Sequence, residues 1–508
     1  MIKGKLSFAV AAVMLLCGCS SDSNRNNPSN DSSIPASSYV SNMGLAPSYE
    51  TVLYEIPDIS EVKSGEYDSG KIVFVVSDYS GEKAFENQNK INEILKNKGF
   101  KKQLEFKLLD DMNYKSELVD YINGGGQADI LFTNAAYADK NAIGAYHEFV
   151  DRGWLCDITE LVNSSEGEKL KNSYSETFWT GMEINGKIYG VGHNITTGYG
   201  ISAVFNTELC GNYGFDLSTF DGSLETIRDW CFKIKESNIS CDIFEPRISL
   251  SGVLRLSGMY GDPQLSQFGM GAREENGILT AVNIYEDQGF KNTVKTLSEI
   301  YSGGCFYDIN ANVSSGNFFV KLVSTSAEGN SLVFAYGNEN MYEIETTEIE
   351  LIKPQSITTI NNVSGVCTLS RDKESAFEAL AIMYSDPDIS NLMEYGTTEY
   401  SEDLISPGMS LGNHILTFAD SEFPKEKGDK KQAIQSFNSS VEITPLSGFC
   451  PDYEKGNFAA LYNANAQGDY LYMGMCGSDW ESIMTEMSNL MKEAGIDNAI
   501  STINEDLN

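Results

Sequence analysis

Between Lys71 and Thr133 the chain alternates apolar runs of strand length with segments of helical period, and few folds accept that order. Ile72 to Val76 is continuously apolar, as a strand covered on both faces must be. A helical pattern follows, carrying Phe85, Ile91, Ile94 and Leu95 and stopping at Gly99, and Leu104, Phe106 and Leu108 mark a second strand. Tyr114, Leu118, Tyr121 and Ile122 then recur at helical spacing, and Ala128 to Thr133 reads as a short buried strand. Alternation of this kind predicts a parallel sheet with helices on both faces. Ligands of such sheets sit at the carboxyl ends of the strands, so the loops after Val76 and after Phe132 point at a crevice.

The triplet Gly124-Gly125-Gly126 could be mistaken for a phosphate-cradling loop. Such a loop needs a strand before the glycines and a helix N-terminus after them, and here the order is reversed. The glycines end a helix, with Gly124 expected in the left-handed conformation that turns the chain into the next strand.

At 508 residues the chain can form two or three domain-sized units. Its N-terminus carries Lys3 and Lys5, an apolar run from Leu6 to Leu16 too short to span a membrane, and then Cys17-Gly18-Cys19. This resembles the bacterial lipoprotein signal, which implies removal of residues 1–18 and lipidation of Cys19. A plain secretory signal fits less well, because it calls for a small residue three before the cut. Residues 19–43, dense in Ser, Asn and Asp, read as a flexible tether with a reach of roughly 25–30 Å. The expected location is the extracytoplasmic face of the cell membrane, held by the lipid.

A net charge of −36 disfavours nucleic acid and anionic lipid as partners, since both are bound through clustered Lys and Arg. Eight cysteines remain beyond Cys17 and Cys19; no CxxC pair occurs among them, and their pairing cannot be deduced from spacing. His147, His193 and His414 are the only histidines and do not form an HExxH pattern, so no metal or other cofactor is expected.

"NGGGQADILFTNA", "DRGWLCDITEL" and "INGKIYGVGHNITTGYGISAVFNTEL" follow the strand–helix run in order. Together they resemble the extracellular solute-binding proteins, family 1, that deliver carbohydrates to ABC importers. Gly153, Leu155, Ile158 and Leu161 match one family segment, and Asn206 and Leu209 another; Gly192 stands where the family commonly has proline. "YGTTEYSEDL", "LGNHILTF", "ITPLSGFCPDYE" and "LMKEAGIDNAISTINEDLN" resemble the closing segments of a lipoprotein subset. The resemblance covers residues 71–508 and leaves 44–70 without a role.

The resemblance implies a two-lobed α/β fold of the type II periplasmic-binding-protein kind over residues 44–508. Lobe one takes approximately 68–193 and 365–400, lobe two approximately 199–360 and 401–508, with crossings near His193 to Tyr199, near Asn361 to Gly365 and after Tyr395. It implies a monomer that captures a carbohydrate, an oligosaccharide by preference, and passes it to a membrane permease. Ligand contacts are expected from Asp78, Tyr79, Asn134 and Tyr137 in lobe one, from His193, Asn194 and Thr196 at the hinge, and from Glu245, Arg247, Tyr336 and Asn338 in lobe two. Gly192, Gly198 and Gly200 are expected to give the hinge its freedom.

Enzyme motifs fail on context. Gly408-Met409-Ser410-Leu411-Gly412 spells a nucleophile elbow, but a turn precedes it and His414 follows with no acid between. Asp308-Ile309-Asn310-Ala311-Asn312 imitates a calcium loop, yet Val313 and Phe319 stand where glycine and glutamate are required. A glycan hydrolase, needing only two placed carboxylates, and a surface glycan adhesin or sensor are the competing readings. Trp480, Ile483, Met484, Met487, Leu490 and Met491 share a face expected to meet the core, with Ser478 and Glu481 as a capping box and Gly495 as the stop.

Overall fold

A computed structural model describes residues 56–507 except 64, 134–145, 195, 240, 307–316, 326–334, 338–339, 343, 357–361, 402–403, 405–410, 419–428, 452–454 and 476–478. Cys19, Asn134, Tyr137, Asn338, the calcium-like stretch, Gly408 to Ser410 and Ser478 lie outside the described residues.

Eight strands build two four-stranded sheets: β1 (Lys71–Ser77), β2 (Gln103–Leu109), β3 (Ile130–Thr133), β4 (Gly198–Asn206), β5 (Asp242–Arg247), β6 (Phe318–Thr325), β7 (Thr346–Ser356) and β8 (Val363–Val366). The first sheet has the order β8-β3-β1-β2, with β2 and β3 parallel to β1 and β8 antiparallel to β3. The second has the order β7-β4-β6-β5, with β4 antiparallel to both neighbours and β5 parallel to β6. Each sheet has its own apolar core, one running from Ile56 to Leu411 and the other from Ile201 to Ile503.

The glycine triplet closes the helix Tyr114–Asn123 in a Schellman motif: the Gly125 amide donates to Ile122 O and the Gly126 amide to Tyr121 O. The left-handed residue is therefore Gly125, at φ +99°, and not Gly124. The single helix expected after β1 is two, Asp78–Glu86 and Gln88–Asn97. Asn87 breaks it, its side-chain amide donating to Lys83 O, and Phe85 falls on the exposed side.

Residues 56–70 gain a role as a strap across the amino-terminal edge of the first sheet. Ile56 and Val62 enter the core, Trp154 Nε1 donates to Pro57 O, and the Glu66 amide donates to Gly125 O. Lobe one thus begins before residue 68. It also ends later than expected. Leu411 is buried in the first core, Asn413 donates to Tyr384 O, and Thr177 donates to Asn438 O on the helix Lys430–Ser440. The third passage between lobes is Val441 to Thr444, where Glu442 N donates to Pro354 O and Thr444 N to Ser356 Oγ. Polar pairing, rather than an apolar stripe, holds 411–440 on lobe one.

Gly198 and Gly200 serve close approach, not freedom. A Cβ on Gly198 would lie 2.3 Å from Gln355 O and 2.6 Å from Val441 Cγ1, and one on Gly200 would lie 2.5 Å from Ile352 O. We expect Gly198→Ala to lower stability by about 1–3 kcal/mol, the usual range for overpacking, which urea unfolding reads directly. A neutral result would mean that the passages are loosely packed.

The helix Trp480–Glu493, followed by a last helix, Ile496–Leu507, buries Met484, Met487 and Met491 in the second core, as its pattern predicts. Its N-cap, however, is Asp479, with no side-chain cap bond. The seven described cysteines are free, and burial pushes the Cys210 and Cys367 thiols up to about 12, which leaves them unreactive. No described helix is long and apolar enough to cross a membrane.

Candidate functional site: a crevice floored by the passages between lobes

Both sheets turn the same kind of edge toward the passages. In the first sheet these are the carboxyl ends of β1, β2 and β3, with Val363 opposite Thr133 at the start of β8. In the second they are the carboxyl ends of β5 and β6, with Thr325 paired to Gly200 at the start of β4. Strand ends of this type form ligand crevices in α/β sheets.

The first passage, running from Val191 to Thr197, and the end of the second at Asn362 lie side by side, and this pair is taken as the floor of the candidate site. Val191 and Ser364 exchange both backbone hydrogen bonds (2.8 and 2.9 Å), which brings Asn362 beside His193. Asn362 holds φ +49° and is fully buried, yet neither its Oδ1 nor its Nδ2 has a partner. Asn194 donates Nδ2 to Ser173 O at 3.0 Å while its buried Oδ1 is unpartnered, and the buried Thr197 Oγ1 is unpartnered too. Leaving such a group unmade costs about 1–3 kcal/mol, so four in one small region mark a place where water or a ligand can bind.

Beside the floor lies a buried polar row. Glu394, fully buried at the end of the helix Pro387–Glu394, accepts from His193 Nε2 at 3.2 Å and from His414 Nδ1 at 2.7 Å. Lys430 Nζ stands 3.2 Å from His414 Nε2 and donates to Thr417 Oγ1 at 2.9 Å. An ammonium only donates, so His414 Nε2 must accept and its proton must sit on Nδ1. Burial works against ionising Glu394, but His414 and His193 beside it hold its carboxyl well below the usual range. His193 is pushed down by burial, against the upward pull of Glu394, and is neutral.

His193, Glu394 and His414 are the one set among the described residues able to surround a cation. The donor set does not fit one. A metal on His414 Nδ1 would put the ring proton on Nε2, facing the Lys430 ammonium, and would leave the buried row strongly positive.

On the lobe-two side, Arg255 of the helix Leu250–Leu256 fastens two passages together. Its guanidinium lies 3.9 Å from the Tyr199 ring centroid and donates to Tyr199 O, to Gln355 O and to Ser356 O.

The remaining residues singled out in the sequence are dispersed. Asp78 and Tyr79 open the exposed first turn of the helix after β1, where Asp78 Oδ1 accepts from the amides of Tyr79 and Asp111. Thr196 is half-buried on the first passage. Glu245 and Lys321, adjacent on β5 and β6, form an ion pair of 2.9 Å. Arg247 ends β5 and Tyr336 lies in the short strand Ala335–Gly337; the side chains of both are outside the described residues. Reading the sequence missed Thr197, Arg255, Asn362 and Glu394. Only the Asn361-Asn362 pair carried a signal, since asparagine tolerates a left-handed turn.

No protein-family model and no curated sequence matches the chain. Solved structures do. The N-glycan transport solute binding protein (NgtS) from Streptococcus pneumoniae aligns over 86% of this chain and 98% of its own, with a TM-score of 0.60 at 19% identity. The fold is that of the two-lobed extracellular solute-binding proteins. An extracellular solute-binding protein from Bifidobacterium longum subsp. infantis gives 0.53 at 13% identity, over 88% of this chain and 99% of that one. An HMO binding ABC-transporter associated solute binding protein from Bifidobacterium longum infantis gives 0.52 at 12% identity, over 87% and 99%. Two sheets with separate cores agree with the two-lobed α/β fold that the sequence led us to expect.

Proposed function

We propose that this chain is the substrate-capturing component of an ABC importer, binding an oligosaccharide between its lobes and held at the extracytoplasmic face through a lipid on Cys19. The observation that carries the carbohydrate part is the set of unpartnered buried atoms on Asn194, Thr197 and Asn362. Hydroxyls of a sugar both donate and accept, so one ring edge can satisfy an amide oxygen, an amide nitrogen and a threonine hydroxyl together. Two kinds of neighbour support it: NgtS structures in complex with Man1GlcNAc and with Man5GlcNAc, and the HMO binding protein. Asp78, Tyr79, Asn134, Tyr137, Thr196, Glu245, Arg247, Tyr336 and Asn338 are proposed contacts around this floor. No reacting group is needed, and the reading is of a binding protein, not an enzyme.

A thermal-shift panel of mono- and oligosaccharides tests it, because a ligand at a hundred times its Kd adds about 2.7 kcal/mol of stability. For the best sugar, Asn362→Ala should weaken binding at least tenfold while lowering the stability of the free protein by only about 1–2 kcal/mol, the cost of alanine in a left-handed turn, since the amide makes no internal bond to lose. A panel with no stabilising sugar, or wild-type affinity in Asn362→Ala, would sink the reading.

A further inference from the structure

The three passages differ in how much chain they leave between the lobes. In the first, the Thr197 amide donates at 2.9 Å to Oδ1 of Asn438, a lobe-one residue whose carbonyl accepts from Thr177 Oγ1. The very next residue, Gly198, is already paired to Ser356 in the second sheet. In the third, the lobe-one helix Lys430–Ser440 ends, Val441 turns into extended backbone at φ −68° and ψ 127°, and the Glu442 amide donates to Pro354 O on lobe two. Only Val441 stands between. The two crossings also touch, since a Cβ on Gly198 would lie 2.6 Å from Val441 Cγ1. The second passage is longer: among the described residues its last pairing on lobe two is Ser356 with Gly198 and its first on lobe one is Val363 with Thr133, with residues 357–362 between.

We propose that the lobes turn about an axis through the Thr197–Gly198 and Ser440–Val441 junctions, where the first and third passages are taut, and that the second passage takes up the swing. Consecutive Cα atoms are held about 3.8 Å apart, so a passage with no residue to spare cannot lengthen. Two points on different bodies keep their separation through a rotation only when they lie near its axis. The Gly198–Val441 contact makes the same demand, because a close-packed pair has no room to slide. A few backbone angles at the two junctions then absorb the turn. The bend cannot spread into lobe two. Arg255 donates to Tyr199 O on the first passage and to Gln355 O and Ser356 O on the second, while the Ser356 amide donates to Glu442 O and its Oγ accepts from the Thr444 amide of the third. All three passages thus enter lobe two as one knot. On lobe one the fixed points are Asn438 and the Val191–Ser364 pair, which makes Asn438 a positioning residue for the axis. The proposal holds whatever the crevice binds, since it concerns only the chain between the lobes.

Lengthening a taut passage and a slack one tests this on the free protein, with no ligand needed. Three glycines inserted after Ser440 should raise the radius of gyration and broaden the pair-distance distribution in small-angle scattering. The same insertion between Ser356 and Asn362 should leave both as in the wild type. Asn438→Ala tests the other junction: the Thr197 amide should exchange with solvent deuterium at least tenfold faster and the scattering should broaden, while the strand amides of Phe74 and Ala203 keep their wild-type rates and report both lobes folded. If the insertion after Ser440 does not fold, Asn438→Ala still decides. Equal scattering changes from the two insertions, wild-type scattering with the insertion after Ser440, or an unaltered Thr197 amide in Asn438→Ala overturns the proposal. So does a released Thr197 amide with wild-type scattering, which would mean that the bond holds the passage but not the axis.

Discussion

Asp129→Ala should remove about 3–5 kcal/mol of stability, the range seen when one member of a buried charged network is deleted. Asp129 is fully buried just ahead of β3. Its Oδ2 accepts from the Val73 amide at 2.9 Å and from Gln127 Nε2 at 2.7 Å, and its Oδ1 accepts from Ser370 Oγ at 2.6 Å. One carboxylate thereby ties β1, the glycine turn and the segment after β8, the strand that returns from lobe two. Alanine would strand all three donors in the core, and each unmade bond costs far more than the net worth of a made one. Asp129→Asn should cost less, because its oxygen still accepts from the Val73 amide and the Ser370 hydroxyl can rotate to accept from its amide. Urea unfolding of the three proteins decides it: a loss under about 1 kcal/mol in Asp129→Ala would show that water replaces the carboxylate.

What could be read from the sequence and what could not divide along physical lines. The first three strands, the helix ended by glycines and the methionine face of the helix Trp480–Glu493 were legible because burial of one side leaves a period in the chain. Residues 411–440 were misplaced because the groups fixing them to lobe one are Asn413, His414 and Asn438, and a long-range polar pair leaves no periodic trace. The same limit governed the site. Segment resemblance led to His193 and Asn194 on the first passage, but could not tell that His193 is engaged by Glu394 while Asn194 keeps an oxygen unpartnered. Nor could the sequence tell that the neighbour of Glu245 in the parallel register is Lys321, with which it forms an ion pair.

Acidification should destabilise this protein well before its carboxylates protonate. Burial alone pushes the His147 imidazole from 6.5 down to about 3, and His193 is lowered in the same direction. The unfolded chain takes up these protons near pH 6.5, whereas the native state refuses them. Stability from the neutral imidazoles is therefore complete above pH 6.5 and is lost as pH falls toward the folded values. Between pH 6.5 and 4.5 His147 by itself should cost about 2–3 kcal/mol, at 1.36 kcal/mol per pH unit. Glu394 adds to the slope only toward pH 4.5, where the unfolded chain begins to protonate it while the folded carboxyl, held well below 4.5, stays ionised. Urea unfolding at pH 7, 6, 5 and 4.5 should show a steep fall in the wild type and a clearly flatter one in His147→Gln. His193→Gln should remove a further share. The comparison is of slopes, so the cost of replacing a buried ring does not enter; equal slopes in wild type and His147→Gln would mean that His147 is charged or solvated in the folded protein.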